Sequence, residues 1–258
     1  MDSVCTWRAQ DIRSTGPQTL SHNRMHAPSP LQSLPATRQD RWTVLDQLIL
    51  RWHPHCDEAA GFTTDDIRNA ECAIGVSIPK ALVEWQCTSG KRRSIWSCQD
   101  EFLSPDRLYV ENDGLIFFVE NQGVVKWAIP ISAIGNEDPP VVVESVDNAG
   151  VWIPQSDTLS EFAFHMFAYT LAFTDSGDSW IYGHAKPPLV AALETRFPAL
   201  TFPATWWTGT RLLGHADLVV AIDGSNYIHA SALSDAAMMG FTSLTSNDNF
   251  EIHASSDG

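Results

Sequence analysis

Leu115-Ile116-Phe117-Phe118-Val119-Glu120-Asn121-Gln122-Gly123-Val124-Val125-Lys126-Trp127, followed by Asp138-Pro139-Pro140-Val141, is the stretch that decides the fold of this chain. Its first run is rich in β-branched and aromatic residues and stops at a polar turn. A second run then alternates toward a Trp. Two strand-like runs separated by Gly-containing turn chemistry predict a β-hairpin. The diprolyl segment cannot donate ladder hydrogen bonds, so it must lead to an edge or start a strand. No nucleophile, metal pair or phosphate loop sits on this stretch. It reads as a framework that presents a surface.

Outward from the hairpin, strands are expected at 107–111, 114–120, 123–129 and 140–145, with Val151–Ile153 a further one. Upstream, Trp42, Leu45, Leu48 and Ile49 follow helical spacing from near Asp40, and Pro54 ends that helix. A second helix starts at Thr63, with Asp66 as reciprocal cap and Gly75 closing it. Pro79 is expected at the first position of a third, short helix carrying Ala81, Leu82 and Trp85. Downstream, Thr158 and Glu161 cap a strong helix with a stripe of Leu159, Phe162, Ala163, Met166, Thr170 and Phe173. Pro187-Pro188 opens another, stopped by Pro198. Trp206-Trp207 and Arg211–Leu213 look strand-like; Ala216–Ile222 and Asn226–Leu233 flank the hairpin signal Asp223-Gly224-Ser225. A last helix follows from Ser234. The layout is α+β, a mostly antiparallel sheet with one face on helices. Residues 1–40, with four prolines and no hydrophobic periodicity, read as a disordered tail or an overlong gene start. Residues 41–246 read as one domain and 247–258 as a flexible tail.

With 44% apolar residues and ten Trp among 258, the chain can build a packed core without a staple. Five cysteines in an odd, unpaired pattern, no N-terminal apolar run and no apolar segment of membrane-spanning length predict a cytoplasmic protein with no membrane partner. Charge is unevenly placed: from Ser94 onward there are 21 acidic and five basic residues, a net of −16. Phosphates would be repelled, so no nucleic-acid partner is expected, whereas a basic protein would be attracted. Solubility alone is the plainer reading of such acidity.

Each candidate for chemistry has a structural alternative. His53-Pro54-His55-Cys56 lacks the further ligands zinc needs and reads as a helix-end turn; no metal and no cofactor are expected. Cys87 and Cys98 bracket Lys91-Arg92-Arg93, whose charge would activate a thiol, but a structural cysteine is the more ordinary reading. The same basic run with Trp96 makes a poor nucleic-acid platform. The acidic pairs Asp57-Glu58, Asp65-Asp66, Asp100-Glu101 and Glu137-Asp138 are explained by capping or loop solvation. Local catalytic motifs are missing. Trp85 and Trp127 are expected in the core.

Glu120-Asn121-Gln122-Gly123-Val124 with Trp127, then Gly135, Asp138-Pro139-Pro140-Val141, Trp152 and Leu159-Ser160-Glu161-Phe162, resembles the SUKH superfamily of bacterial immunity proteins related to the Smi/Knr cell-wall regulators of yeast. Ile78-Pro79-Lys80-Ala81-Leu82-Val83-Glu84-Trp85 and Gly90 are similar to that family's early segment, with Ile78 in place of the usual Leu and Cys87-Thr88-Ser89-Gly90 in place of the usual turn. The resemblance covers residues 60–175 and implies a curved sheet with helices packed on one side. It implies a non-catalytic immunity protein that binds and neutralises a cognate toxin domain of a polymorphic toxin system; the acidity of the chain points to a basic toxin, for which a nuclease is one candidate. Glu111, Asp113, Glu120, Glu137, Asp138 and Trp152 are the expected partner-binding residues, with turn geometry as an alternative role for Glu120 and Asp138. A regulatory or scaffolding protein of the Smi/Knr type with several partners is the alternative. An enzyme would require His165 or His184 to share a pocket with a shifted carboxylate.

Overall fold

The computed structural model describes residues 29–54, 61–97, 100–173, 177–203, 209–224, 226–246 and 248–256. The expected Trp206-Trp207 strand, His55, Cys56, the Asp57-Glu58 pair and Cys98 lie outside these residues.

Four helices precede the hairpin: α1 (Arg38–Trp52), α2 (Thr64–Ile74), α3 (Lys80–Ser89) and the short α4 (Arg93–Trp96). Thr37 caps α1 by accepting from the Asp40 N–H, and the helix buries Trp42, Leu45, Leu48, Ile49 and Trp52. Thr63 and Asp66 form the expected reciprocal box on α2, and Gly75 ends it at φ 73°. Pro79 sits one residue earlier than expected, at the cap of α3.

The first sheet contains β1 (Asp100–Phe102), β2 (Tyr109–Glu111), β3 (Gly114–Glu120), β4 (Val125–Pro130), β5 (Val141–Ser145) and β6 (Ile153–Ser156). Its order is β1-β3-β4-β5-β6, and β2 pairs with the opposite half of the β3 edge that β1 occupies. All pairings are antiparallel. Asn112 and Asp113 join β2 to β3 as a two-residue turn with φ of 49° and 60°, the left-handed pair that short hairpins require. A bulge between Ile116 and Phe118 makes the sheet irregular. Phe117 and Phe118 consequently both reach Trp85, each at 6.2 Å, although neighbours in a regular strand would diverge. Pro140 immediately precedes β5, and Pro154 lies on the edge strand β6, where a missing N–H is tolerated.

Helix α5 (Leu159–Phe173) follows. The expectation of a single buried stripe is too narrow: Phe164, His165, Phe167, Ala168, Tyr169, Leu171 and Ala172 are buried as well. The cause is a second sheet. It comprises β7 (Ser179–Ala185), β8 (Arg211–His215), β9 (Leu218–Ile222), β10 (Tyr227–Ala232) and β11 (Phe250–Ser255), in the order β11-β7-β10-β9-β8 and antiparallel throughout. Helix α6 (Pro187–Arg196) and helix α7 (Asp235–Thr242) complete the chain. Along β9, Val219 and Ala221 join the core around α5, while Leu218, Val220 and Ile222 join a second core with Leu189, Leu193, Met238 and Phe241 from α6 and α7. This strand is buried on both faces, which explains its unbroken apolar run.

The fold is thus α+β, with seven helices and two sheets among the described residues, and three expectations change. Helices lie on one side of the first sheet but on both sides of the second. Residues 250–255, expected as part of a flexible tail, form β11, with Phe250 buried. The partner strand β7 gave a weak strand signal because Gly183 interrupts it. That glycine is needed, since any Cβ there would collide with the Glu251 carbonyl of β11. Residues 29–40, expected as tail, are folded: Leu31 is buried, its carbonyl accepts from the Thr201 N–H at 2.7 Å, and α1 begins at Arg38.

Candidate functional site

The inner face of the first sheet is spent on packing. Trp85 stacks on Phe102 at 4.2 Å and meets Trp96 at 5.0 Å, and Phe162 of α5 meets Trp127 at 6.0 Å. Trp85 and Trp127 are core residues, as expected. Trp96 is buried too, with its indole N–H on Ser89 Oγ, so it cannot stack on a ligand beside the basic run. Lys91 lies over Phe62, and Arg93 pairs with Glu101.

Among the described residues no helix packs on the outer face. The strand registers place Val119, Lys126 and Glu144 in one row across it, and Tyr109, Ile116, Ala128 and Val142 in the next. Trp152 covers the small residues of this face. A Cβ at Gly114 would lie 2.7 Å from its ring and 2.8 Å from Ala128 Cβ. Its indole N–H donates to the Asn112 carbonyl at 2.7 Å, which ties the β5–β6 connection to the β2–β3 turn. Lys126 Nζ donates to Glu111 Oε2 at 2.7 Å. That bond holds the Lys126 ammonium above its ordinary range, against partial burial. Glu144, the residue directly opposite Lys126, is 7% exposed; its Oε1 accepts from the Gly150 N–H at 2.8 Å, and its Oε2 is buried without a partner. Tyr109, Val110, Val124, Val146, Val151 and Ile153 are exposed apolar side chains from these strands and their connections. Asp113 and Asp147 are exposed in the same connections.

The six expected partner-binding residues therefore separate. Glu111, Asp113 and Trp152 come together on the outer face. Glu120 does not join them: it is buried, and its Oε2 accepts from the N–H groups of Gln122 and Val124 at 2.8 and 3.3 Å, holding the β3–β4 turn. Asp138 accepts from the Ser160 N–H at 2.9 Å and the Ser160 hydroxyl at 2.6 Å, so it caps α5. Glu137 is exposed but pairs with Arg38 and Lys80 beside α3, where its backbone carbonyl accepts from the Ala81 N–H. Both arginine and lysine hold its carboxyl below the usual range, the Arg38 hydrogen bond most strongly. Sequence reasoning missed Tyr109, Lys126 and Glu144. Lys126 was legible, since strict alternation sends it to the face opposite Trp127.

Three groups stand outside this face. Asp100, expected as a solvated loop residue, is 4% exposed and lies directly opposite buried Glu120, with neither carboxylate oxygen partnered by a side chain. Burial, reinforced by the Glu120 charge, pushes its carboxyl up to about 7, against a weaker backbone contribution from Asn121. His165 is buried among Phe164 and Phe202, and burial lowers its imidazole to about 4, so it is neutral at pH 7. His184 borders a cleft of about 500 Å³ with Lys186, Phe250, Glu251 and Ile252; Asp100 is not in its lining. Among the described residues no group of three or more His, Cys, Asp and Glu is placed to hold a metal ion, and no helix is long and apolar enough to cross a membrane. Comparison with protein-family models, curated proteins and solved structures returned no match.

Proposed function

We propose that this chain is a non-catalytic immunity protein of the cytoplasm that binds a basic toxin domain through the open face of its first sheet. The carrying observation is that face itself. Exposed apolar side chains Tyr109, Val124, Val146 and Val151 stand beside the acidic Glu111, Asp113 and Asp147. Contiguous apolar surface with a polar rim is the mark of a protein-binding surface. The acidity of the chain from Ser94 onward supports a basic partner and fast, salt-sensitive association. The resemblance to SUKH immunity proteins supports the same reading, as an analogy of sequence.

The test is to recover tagged protein from its native host at low ionic strength and identify what accompanies it. A near-stoichiometric basic domain, released by salt, is the expected result. Several substoichiometric partners that survive salt would contradict it and favour a scaffolding role.

A further inference from the structure

Lys126 blocks the acidic part of the open face while having a second place to go. Its ammonium is engaged by Glu111 of β2 at 2.7 Å. On its other side, Glu144 of β5 is its direct cross-strand partner, and such partners stand about 5 Å apart at Cβ, within reach of a lysine side chain. Glu144 Oε2 is a buried acceptor with no partner. A buried, unpartnered carboxylate oxygen is costly to maintain, and nothing in the packing of the sheet requires it, since Oε1 alone holds the Gly150 N–H. Tyr109 stands close enough to feel Lys126, Glu111 and Glu144 together, so the four groups form one electrostatic unit.

We infer that Lys126 is an exchangeable counter-ion: an arginine or lysine of the partner takes Glu111, and Lys126 moves across the sheet to Glu144. The partner's cation then does not leave Lys126 unpaired, and the vacant acceptor is filled. Tyr109 and Trp152 flank the exchange and offer aromatic faces to an incoming guanidinium. The arrangement favours a partner that presents a basic side chain between apolar contacts, and disfavours a purely apolar one, which would bury the Lys126–Glu111 pair without replacing it. This inference rests on the open face being the partner surface.

The experiment is a titration of the intact protein with a short oligo-arginine peptide at low ionic strength, using wild type, Glu111→Gln, Lys126→Met, Glu144→Gln and the double variant Lys126→Met/Glu144→Gln. Glu144→Gln keeps the acceptor for Gly150 and removes only the charge. Peptide binding is expected to fall in Glu111→Gln and to tighten in Lys126→Met. Each change should be roughly threefold to tenfold, the range of partly exposed ion pairs. The decisive comparison is the double-mutant cycle: Glu144→Gln should weaken binding when Lys126 is present and have much less effect when it is Met. An equal loss in both backgrounds would show simple long-range attraction and overturn the exchange while leaving the open face as the binding surface. No binding to wild type, or binding indifferent to Glu111→Gln, would overturn both. Should a variant fail to fold, the side-chain ammonium resonance of Lys126 in the wild-type protein decides: it must shift on saturation with peptide, and an unchanged signal refutes the exchange.

Discussion

Glu120 and Trp85 illustrate two ways in which one residue fixes structure here. Glu120 accepts from two backbone N–H groups of its own turn, so its carboxylate substitutes for the ladder where the chain reverses. Glu120→Ala should leave those donors unsatisfied and destabilise the protein by about 1–3 kcal/mol. Glu120→Gln, which retains an acceptor, should be milder; urea unfolding midpoints distinguish the two. Trp85 is fully buried and touches Trp42, Trp96, Phe102, Phe117, Phe118 and Phe162. Trp85→Ala should cost about 3–5 kcal/mol through the cavity it leaves, which the same unfolding curves measure. The core role of Trp85 was readable in advance, because a Trp at helical spacing carries a local signal, whereas Glu120 was expected to bind a partner and its turn role was only the alternative. The importance of Lys126 and Glu144 was not, because it arises from cross-strand neighbours that only the register brings together.

At the scale of elements, β1 and β11 were the least legible parts of the chain. Strand β1 is three residues long and contains a buried acid, so it lacks the apolar alternation by which strands are recognised. Strand β11 was masked by its polar neighbours, and its partner β7 by Gly183. By contrast, β3 fell where the deciding stretch placed it, and the Thr63 box and Gly75 delimited α2. The β1 edge should carry a pH signature. Folding raises the Asp100 carboxyl from 3.8 to about 7, so the folded state binds more protons than the unfolded state between those values. The stability contribution from this group is full below pH 4, falls as pH rises toward 7, and is level above it. His165 acts with the opposite sign: its imidazole falls from 6.5 to about 4 on folding, so its contribution is lost as pH falls through that window. The two oppose each other in wild type. The diagnostic quantity is therefore the difference between wild type and Asp100→Asn, whose stabilities should diverge in favour of the variant as pH is raised from 5 to 7. Equal pH profiles would contradict the burial of Asp100. Truncation before Phe250 should, in addition, expose the β7 edge, which amide hydrogen exchange would register as faster exchange at Trp180, Tyr182 and His184, whose N–H groups face β11.

The whole molecule is organised around α5, which carries the inner face of the first sheet on one side and the second sheet on the other. Packing thus consumes one face of the first sheet and, at β8 and β9, both faces of the second. The outer face of the first sheet carries no helix among the described residues and is the surface proposed for a partner; the acidity of the chain from Ser94 onward supports a basic one. The single hairpin stretch revealed the first sheet and its α+β setting, but the second sheet depended on pairings between segments about seventy residues apart, which local pattern does not encode. For a partner steered by charge, affinity should fall steeply with ionic strength, and neutralising Glu111→Gln, Asp113→Asn and Asp147→Asn together should flatten that dependence; Asn at position 113 preserves the left-handed turn. The measurement that tests the central claim most directly is an amide hydrogen-exchange footprint of the complex recovered from the native host. Protection is predicted at Tyr109–Gly114, at Val124–Lys126 and along 144–153, with β7, β10 and β11 unchanged. Protection confined to the second sheet, around Tyr182, His184 and Tyr227, would contradict the account.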